Sequence, residues 1–281
     1  MINIDGIIVA EAQGTLQADN RGLKFGDAVF ETMRYSGGKL FFWEDHYFRL
    51  MASMRIMRME IPMAFTPEAL LEQIELTIAA QAVSSSVYRI RFTVWRGAGG
   101  YYTPTSLKVG YMIEATPLEA PFYTIKEAPC EVELFKDHYV LSGLLSSIKS
   151  NNRAVNVLGS IYAKENAYDN CLLLNEKKMV IEALNGNLFL VKGYRIKTPP
   201  LSEGCLNGII RKQLMAILGA MPDYILEEAP ISPFELQKAN ELFVTNTMVG
   251  IQSITKYRKK EYGFTLAKEL IGKLNARARL G

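Results

Sequence analysis

The spacing of apolar residues changes several times along this chain, and each change predicts a different element. Near the start, the short runs INIDGIIV and AVFETMRY are broken by Ala18-Asp19-Asn20-Arg21-Gly22 and by Ser36-Gly37-Gly38, a pattern that predicts antiparallel hairpins. Phe42, His46, Leu50, Ser53 and Met54 then recur near helical spacing between Trp43 and Met59, and Thr66 followed by Glu68 opens a second helix through ALLEQIELTIAAQAV. Alternation returns in YRIRFTVW, Tyr88 to Trp95, and in LKVGYMIE, Leu107 to Glu114, with the glycine-rich Arg96-Gly97-Ala98-Gly99-Gly100-Tyr101 between them. Two helices against such a sheet make a small α/β domain of residues 1–116.

Two prolines and no periodicity mark Ala115 to Pro121 as a connection, so a linker at 117–124 leaves 125–281 as the second domain. There, Ala154, Val155, Leu158, Ile161 and Tyr162 form a helical stripe. The strands CLLLN, MVIEAL and NLFLV follow, separated by Asn175-Glu176-Lys177-Lys178 and by Asn185-Gly186. Gly208 to Leu218 is predicted helical, Ser232-Pro233 with Glu235 carries a capping-box signature, and a basic helix from Leu266 to Leu280 closes the chain. The fold class expected is α+β in two domains, the larger one strand-rich with helices.

Composition narrows the function classes. With 49% hydrophobic and 22% charged residues in 281, the chain is an ordinary globular one, and a net charge of +3 supplies no field for nucleic acid or anionic lipid. Cys130, Cys171 and Cys205 are far apart and odd in number, which supports neither a disulfide framework nor a zinc site and fits a reducing cytoplasm. Only His46 and His138 are present, too few for a histidine-rich metal centre. No long apolar run predicts a membrane span, and the acidic start of the chain does not resemble a signal peptide. A soluble, cytoplasmic protein acting on a small, near-neutral or anionic molecule is expected.

Four segments carry candidate chemistry. Lys149 lies among small and apolar residues in Leu145-Ser146-Ser147-Ile148-Lys149-Ser150-Asn151-Asn152, where a partly desolvated amine serves as nucleophile or base, or a structural lysine is simply paired. Glu182 stands inside an apolar strand, and a buried carboxylate needs a cation, either a salt-bridge partner or a protonated ring nitrogen. Gly204-Cys205-Leu206-Asn207-Gly208-Ile209-Ile210-Arg211 runs from loop to helix, so the amides of Ile209 and Ile210 point out of a helix N-terminus, which suits phosphate as well as it suits a plain turn. Thr245-Asn246-Thr247-Met248-Val249-Gly250 follows a strand and offers hydroxyls and amides to an anion.

Taken together, these segments resemble the class IV aminotransferases, the fold-type IV pyridoxal-phosphate enzymes that include branched-chain and D-amino-acid aminotransferases and aminodeoxychorismate lyase. Arg21-Gly22-Leu23-Lys24-Phe25-Gly26-Asp27-Ala28-Val29-Phe30-Glu31-Thr32 is similar to that family's R-G-x-x-F-G-D-G-hydrophobic-[YF]-E-T, and His46-Tyr47-Phe48-Arg49-Leu50 to its H-x-x-R-L. The resemblance implies that Arg49, Ile209, Ile210 and Thr247 hold the phosphate of pyridoxal 5'-phosphate, that Lys149 is its Schiff-base lysine, and that Glu182 pairs with the ring nitrogen. It also implies a homodimer, amino-acid and keto-acid substrates, and a cofactor seated in the cleft between the domains.

Three positions depart from the family pattern. Ile210 replaces a threonine, Asn152, Arg153 and Ala154 stand where some transaminases carry a tyrosine, and Phe30 takes a position near the substrate that is usually tyrosine. Arg96 has the geometry to hold a substrate carboxylate, or is a surface arginine in a glycine loop. The reaction expected is amino-group transfer to a 2-keto acid. Release of pyruvate and 4-aminobenzoate from aminodeoxychorismate is the alternative, suggested by Phe30, Asn152-Arg153 and the glycine loop.

Overall fold

A computed structural model describes residues 1–280. These form two compact units, the first made of Met1–Phe122 with Ile148–Asn152 and the second of the rest of the described chain. The short stretch around Lys149, expected inside 125–281, thus packs with the first unit.

The first unit contains β1 (Ile2–Ile4), β2 (Ile7–Val9), α1 (Arg21–Phe25), β3 (Ala28–Ser36), β4 (Lys39–Leu40), α2 (Trp43–Ile56), α3 (Pro67–Ala79), β5 (Val87–Arg96) and β6 (Val109–Pro117). Its six-stranded sheet has the order β2-β1-β6-β5-β3-β4 and is antiparallel throughout. Alternation in β3 and β5 sends Met33, Ile90, Phe92 and Val94 into a core with Leu50 and Met54 of α2 and Leu70 and Ile74 of α3. Pro67 opens α3 behind the Thr66 side chain, which accepts from the Ala69 N–H.

Two local expectations change here. Ala115 to Pro117 continue β6, where Ala115 and Pro117 pair with Ile90 and Tyr88; the proline is tolerated because it ends the strand. Arg21 to Phe25, expected as part of a turn, is a short helix. The Asn20 side chain accepts from the Leu23 N–H at its start, and Gly26 closes it in the left-handed conformation with φ +62°. A Cβ at Gly26 would also run into the Asn152 side chain, 2.3 Å from its Oδ1.

The second unit contains β7 (Glu131–Val140), α4 (Leu144–Ser147), α5 (Ala154–Glu165), β8 (Asn170–Asn175), β9 (Val180–Ala183), β10 (Gly186–Lys192), β11 (Arg195–Thr198), α6 (Ile209–Gly219), β12 (Ile225–Glu228), α7 (Pro233–Leu236), β13 (Glu241–Asn246), β14 (Gly250–Ile254), β15 (Lys256–Tyr257), β16 (Lys260–Glu261) and α8 (Thr265–Leu280). The strands form one sheet with the path β12-β11-β10-β9-β8-β7-β15-β16, and β13 pairs with both β10 and β14. β7 and β11 escaped the sequence pattern. In β7 only Val132, Leu134 and Phe135 are sealed, whereas Lys136 to Tyr139 are exposed, and its partner β8 lies parallel and more than thirty residues further along the chain.

Helix α8 is fastened at its start by Glu241 of β13, a buried carboxylate that accepts from the Leu266 N–H at 3.0 Å and the Ala267 N–H at 3.3 Å. Charge and direct bonding there satisfy amides that a helix leaves unpaired. Glu241→Ala should therefore lower stability by about 1 kcal/mol or more, a fall of a few degrees in thermal midpoint. An unchanged midpoint by calorimetry would show that the cap is dispensable.

Candidate functional site

Strand β3 organises the polar centre of the first unit. Glu31 projects from it toward α2 and is 1% exposed. His46 and Arg49, three residues apart on that helix, therefore share a face and converge on the one carboxylate. Arg49 Nε donates to Glu31 Oε1 at 2.8 Å and Arg49 Nη2 to Oε2 at 2.5 Å, while His46 Nδ1 lies 2.6 Å from Oε2. Helix α2 itself starts from Phe42, a non-glycine residue held at φ +58°.

Burial by itself would raise the Glu31 carboxyl, but Arg49 and His46 hold it down at about 2. Burial lowers His46, and the nearby charges of Arg49 and Lys149 add to that effect against the opposing pull of Glu31. An ionised carboxylate only accepts, so His46 carries its proton on Nδ1. Its Nε2 is left buried without a hydrogen-bond partner.

Lys149 reaches this centre through the backbone. It follows α4 in an irregular stretch, where its carbonyl accepts from the Phe30 N–H at 2.8 Å, the Asn151 N–H donates to the Ala28 carbonyl at 2.9 Å, and Val29 bridges Ser150. The side chain is half-buried, with Nζ 4.5 Å from the centre of the Phe30 ring. The Arg91 guanidinium sits 4.0 Å from the same ring. Burial lowers the hold of Arg91 on its proton, with Glu114 acting the other way.

Arg91 was not singled out from the sequence, where it reads as one polar position of an alternating strand. The acid of AVFETMRY and the H-x-x-R spacing were visible signals for Glu31 and His46. Arg96, in contrast, does not reach this cluster as a carboxylate ligand or lie on the surface. It is buried, with Nε and Nη2 on Asp27 at 2.8 and 3.2 Å and further bonds to the Met57 and Arg58 carbonyls. Asp27 also accepts from Arg21 Nε at 2.9 Å, and Arg21 grips the carbonyls of Gly99, Tyr101 and Tyr102. The guanidinium of Arg96 is thus committed to Asp27 and to the carbonyls just after α2, in place of the substrate carboxylate expected for it.

The second unit gathers the other expected residues along one line of paired strands. Glu182 on β9 stands opposite Asn187 on β10, which stands opposite Thr245 on β13. Glu182 is buried, and its Oε2 accepts from the Leu206 N–H at 2.9 Å. Leu206 precedes Gly208, the N-cap of α6, which makes no side-chain cap. Ile209 and Ile210 fill the core with their side chains while their amides, at the first two positions of the helix, have no acceptor within it. Thr247 lies in the turn after β13, whose shape is set by Asn246 Oδ1 accepting from the Met248 and Val249 amides and by Tyr123 Oη donating to the Thr247 carbonyl. The Thr245 hydroxyl is buried with no partner.

Among the described residues no group of three or more His, Cys, Asp or Glu is placed to hold a metal ion, and no helix is long and apolar enough to cross a membrane. Residues 28–257 match the family model described as Amino-transferase class IV. A D-alanine aminotransferase of Listeria monocytogenes is 25% identical over 263 residues, 90% of this chain and 86% of that protein. An aminodeoxychorismate lyase of Vibrio harveyi is 24% identical over 239 residues, 84% of this chain and 85% of that one. The crystal structure of the branched-chain amino acid aminotransferase from Thermobaculum terrenum in its PLP-form superimposes with a TM-score of 0.82 at 22% identity, over 99% of this chain and 93% of that one.

The buried network makes the protein acid-sensitive in a defined direction. Glu31 is depressed from 4.5 to about 2, so its contribution to stability is complete above 4.5 and is lost as pH falls toward 2. His46 is depressed from 6.5, so its contribution is likewise complete above 6.5 and fades below it. The thermal midpoint should drop steadily from neutral pH into acid. Glu31→Gln should lower stability at neutral pH by about 3 kcal/mol, because Arg49 is left buried without its counter-charge, and should flatten the decline below 4.5. Parallel acid profiles for the two proteins would show that Glu31 does not carry the dependence.

Proposed function

The chain belongs to the class IV aminotransferase family, and from that premise we propose that it transfers an amino group between an amino acid, branched-chain or similar, and a 2-keto acid with pyridoxal 5'-phosphate as cofactor. The observation that carries this reading is the setting of Lys149, a half-buried amine clamped to β3 beside an aromatic ring and a second cation. The donor set of the second unit fits the cofactor as well. A buried acid suits a protonated ring nitrogen, while an uncapped helix N-terminus and an unpartnered buried hydroxyl on Thr245 suit a phosphate or ring oxygen.

When bound, the cofactor supplies an electron sink for the pair left behind as the α-proton departs. Lys149 would be the residue that holds the cofactor by its aldehyde group, and its amine, once displaced by the substrate's, would accept and return the α-proton. The Arg91 guanidinium and the Lys149 amine lie over the same Phe30 ring, which sets the two cationic side chains beside one site. Arg91 would also hold a substrate carboxylate, for which a planar guanidinium is matched. The Glu182 carboxylate would keep a proton on the ring nitrogen, and the Leu206 N–H orients it. Ile209 and Ile210 would bind phosphate through amides alone, with Thr247 adding a hydroxyl and Arg49 a guanidinium already aimed by Glu31.

Phe30 favours a second reading. Its ring places no hydroxyl beside Lys149, where the family pattern usually has tyrosine, and this supports aminodeoxychorismate lyase chemistry releasing pyruvate and 4-aminobenzoate. A second copy of the chain is the proposed partner in either case. Val157, Leu158 and Ile161 leave an apolar stripe of α5 exposed, and Leu141, Leu144 and Leu145 just before Lys149 are exposed too. We place the enzyme in the cytoplasm on the strength of its three unpaired cysteines.

Borohydride reduction of the protein loaded with pyridoxal phosphate should fix the cofactor on Lys149, and Lys149→Ala should lose both the adduct and turnover; an adduct on another lysine refutes the assignment. Amino-acid and keto-acid pairs should yield exchanged products while aminodeoxychorismate yields none, and formation of 4-aminobenzoate would turn the choice to the lyase. Glu182→Gln should keep the cofactor bound while turnover falls about a hundredfold. Ile161→Glu should convert a dimer to a monomer in a sizing experiment, and a monomeric native protein would end the proposal of a second copy.

A further inference from the structure

Asn187 stands between the two parts of the second unit to which the proposed function assigns the cofactor. Its Nδ2 donates to the Leu206 carbonyl at 2.7 Å and lies 3.5 Å from Glu182 Oε2. The amide of the same Leu206 donates to Glu182. Its Oδ1 faces the opposite way in the sense that matters for α6: a Cβ built on Gly208 would fall 1.9 Å from it. Gly208 has φ −76° and ψ 138°, an ordinary extended conformation open to any residue, so the backbone there does not need glycine. What excludes a side chain at 208 is the Asn187 amide.

We infer that Asn187 is a positioning residue that couples the acid for the ring nitrogen to the helix end for the phosphate. One primary amide fixes the Leu206 backbone, and through it the orientation of the Glu182 carboxylate. The same side chain lets the chain pass close enough at Gly208 to start α6 at the next residue. Asn187 is 3% exposed and sits mid-row between Glu182 and Thr245, so its rotamer is held by the sheet and not by the loop it grips. A loop ordered by its own turn alone would leave the helix end and the acid to move independently. Here a shift at one end is transmitted to the other through the Leu206 backbone, whose carbonyl faces Asn187 and whose N–H, in the preceding peptide unit, faces Glu182.

This inference rests on the proposed cofactor and separates from it experimentally. Pyridoxal phosphate binding to the native protein, followed by absorbance and by fluorescence quenching, tests the proposed function first: no binding there is a failure of that proposal. Given binding, Gly208→Ala should weaken it about tenfold, because the new methyl displaces Asn187. Asn187→Ala should weaken it by a similar factor and shift the pH at which the bound cofactor's absorption changes, since Glu182 loses the group that orients its partner. The decisive protein is the double variant Asn187→Ala with Gly208→Ala. With the Asn187 amide gone the methyl at 208 has room, so the second substitution should cost less than about twofold.

Losses that multiply in the double variant, or an absorption profile unchanged in Asn187→Ala, overturn the coupling. Melting of each apoprotein reads folding separately, and Asn187→Asp, which keeps the oxygen facing Gly208, provides the matched control. It should leave Gly208→Ala as harmful as in the native background, and rescue by aspartate would overturn the steric argument.

Discussion

Two main-chain hydrogen bonds hold the rest of the arrangement in place: Phe30 N–H to the Lys149 carbonyl and Asn151 N–H to the Ala28 carbonyl. They bridge Ile148–Asn152 to β3, so Lys149 is carried by the first unit although its neighbours in sequence on both sides belong to the second. Backbone pairing is a sound choice for this task. It fixes Cα of Lys149 relative to Phe30 through the main chain alone.

The first unit buries two carboxylates that each face two bases. Glu31 is shared by Arg49 and His46, and Asp27 by Arg21 and Arg96. Arg49 and His46 hold the Glu31 carboxyl well below the usual carboxylate range, and in both clusters each guanidinium gains orientation from its carboxylate. The difference lies in what the arginines do with their remaining donors. Arg21 and Arg96 spend theirs on backbone carbonyls of Met57, Arg58 and the 99–102 loop, which makes them part of the fold. Arg49 lies on α2, which packs against β3, so its removal disturbs the fold through Glu31.

The second unit achieves its polar arrangement by register. Glu182, Asn187 and Thr245 lie opposite one another on β9, β10 and β13, and side chains of directly paired residues share a face. The loop from Cys205 to Gly208 then crosses this row and opens α6. A register slip of one residue in β9 or β10 would turn Glu182 or Asn187 into the opposite face, which ties the polar row to the apolar packing of Leu188, Leu190, Leu242 and Val244 beneath it.

Local pattern was enough to find most helices, the hairpins of the first unit and strands β8 to β10, because each buries one face of a short segment and leaves a period in the residues. Lys149 and Glu182 stand out as charged side chains in apolar company, whereas Arg49 is singled out only through the resemblance to the family. Strand β7 was not legible, since half of it is polar and its parallel partner lies across α4 and α5. Nor could spacing show that Arg96 is consumed by Asp27, that Arg91 meets Phe30, or that Lys149 belongs with β3. The sequence by itself determined which segments can form helix or strand and which side chains cannot be buried without a partner. Tertiary structure alone decided who the partner is, because pairing between distant segments depends on strand register and chain crossing, and neither leaves a period in the sequence.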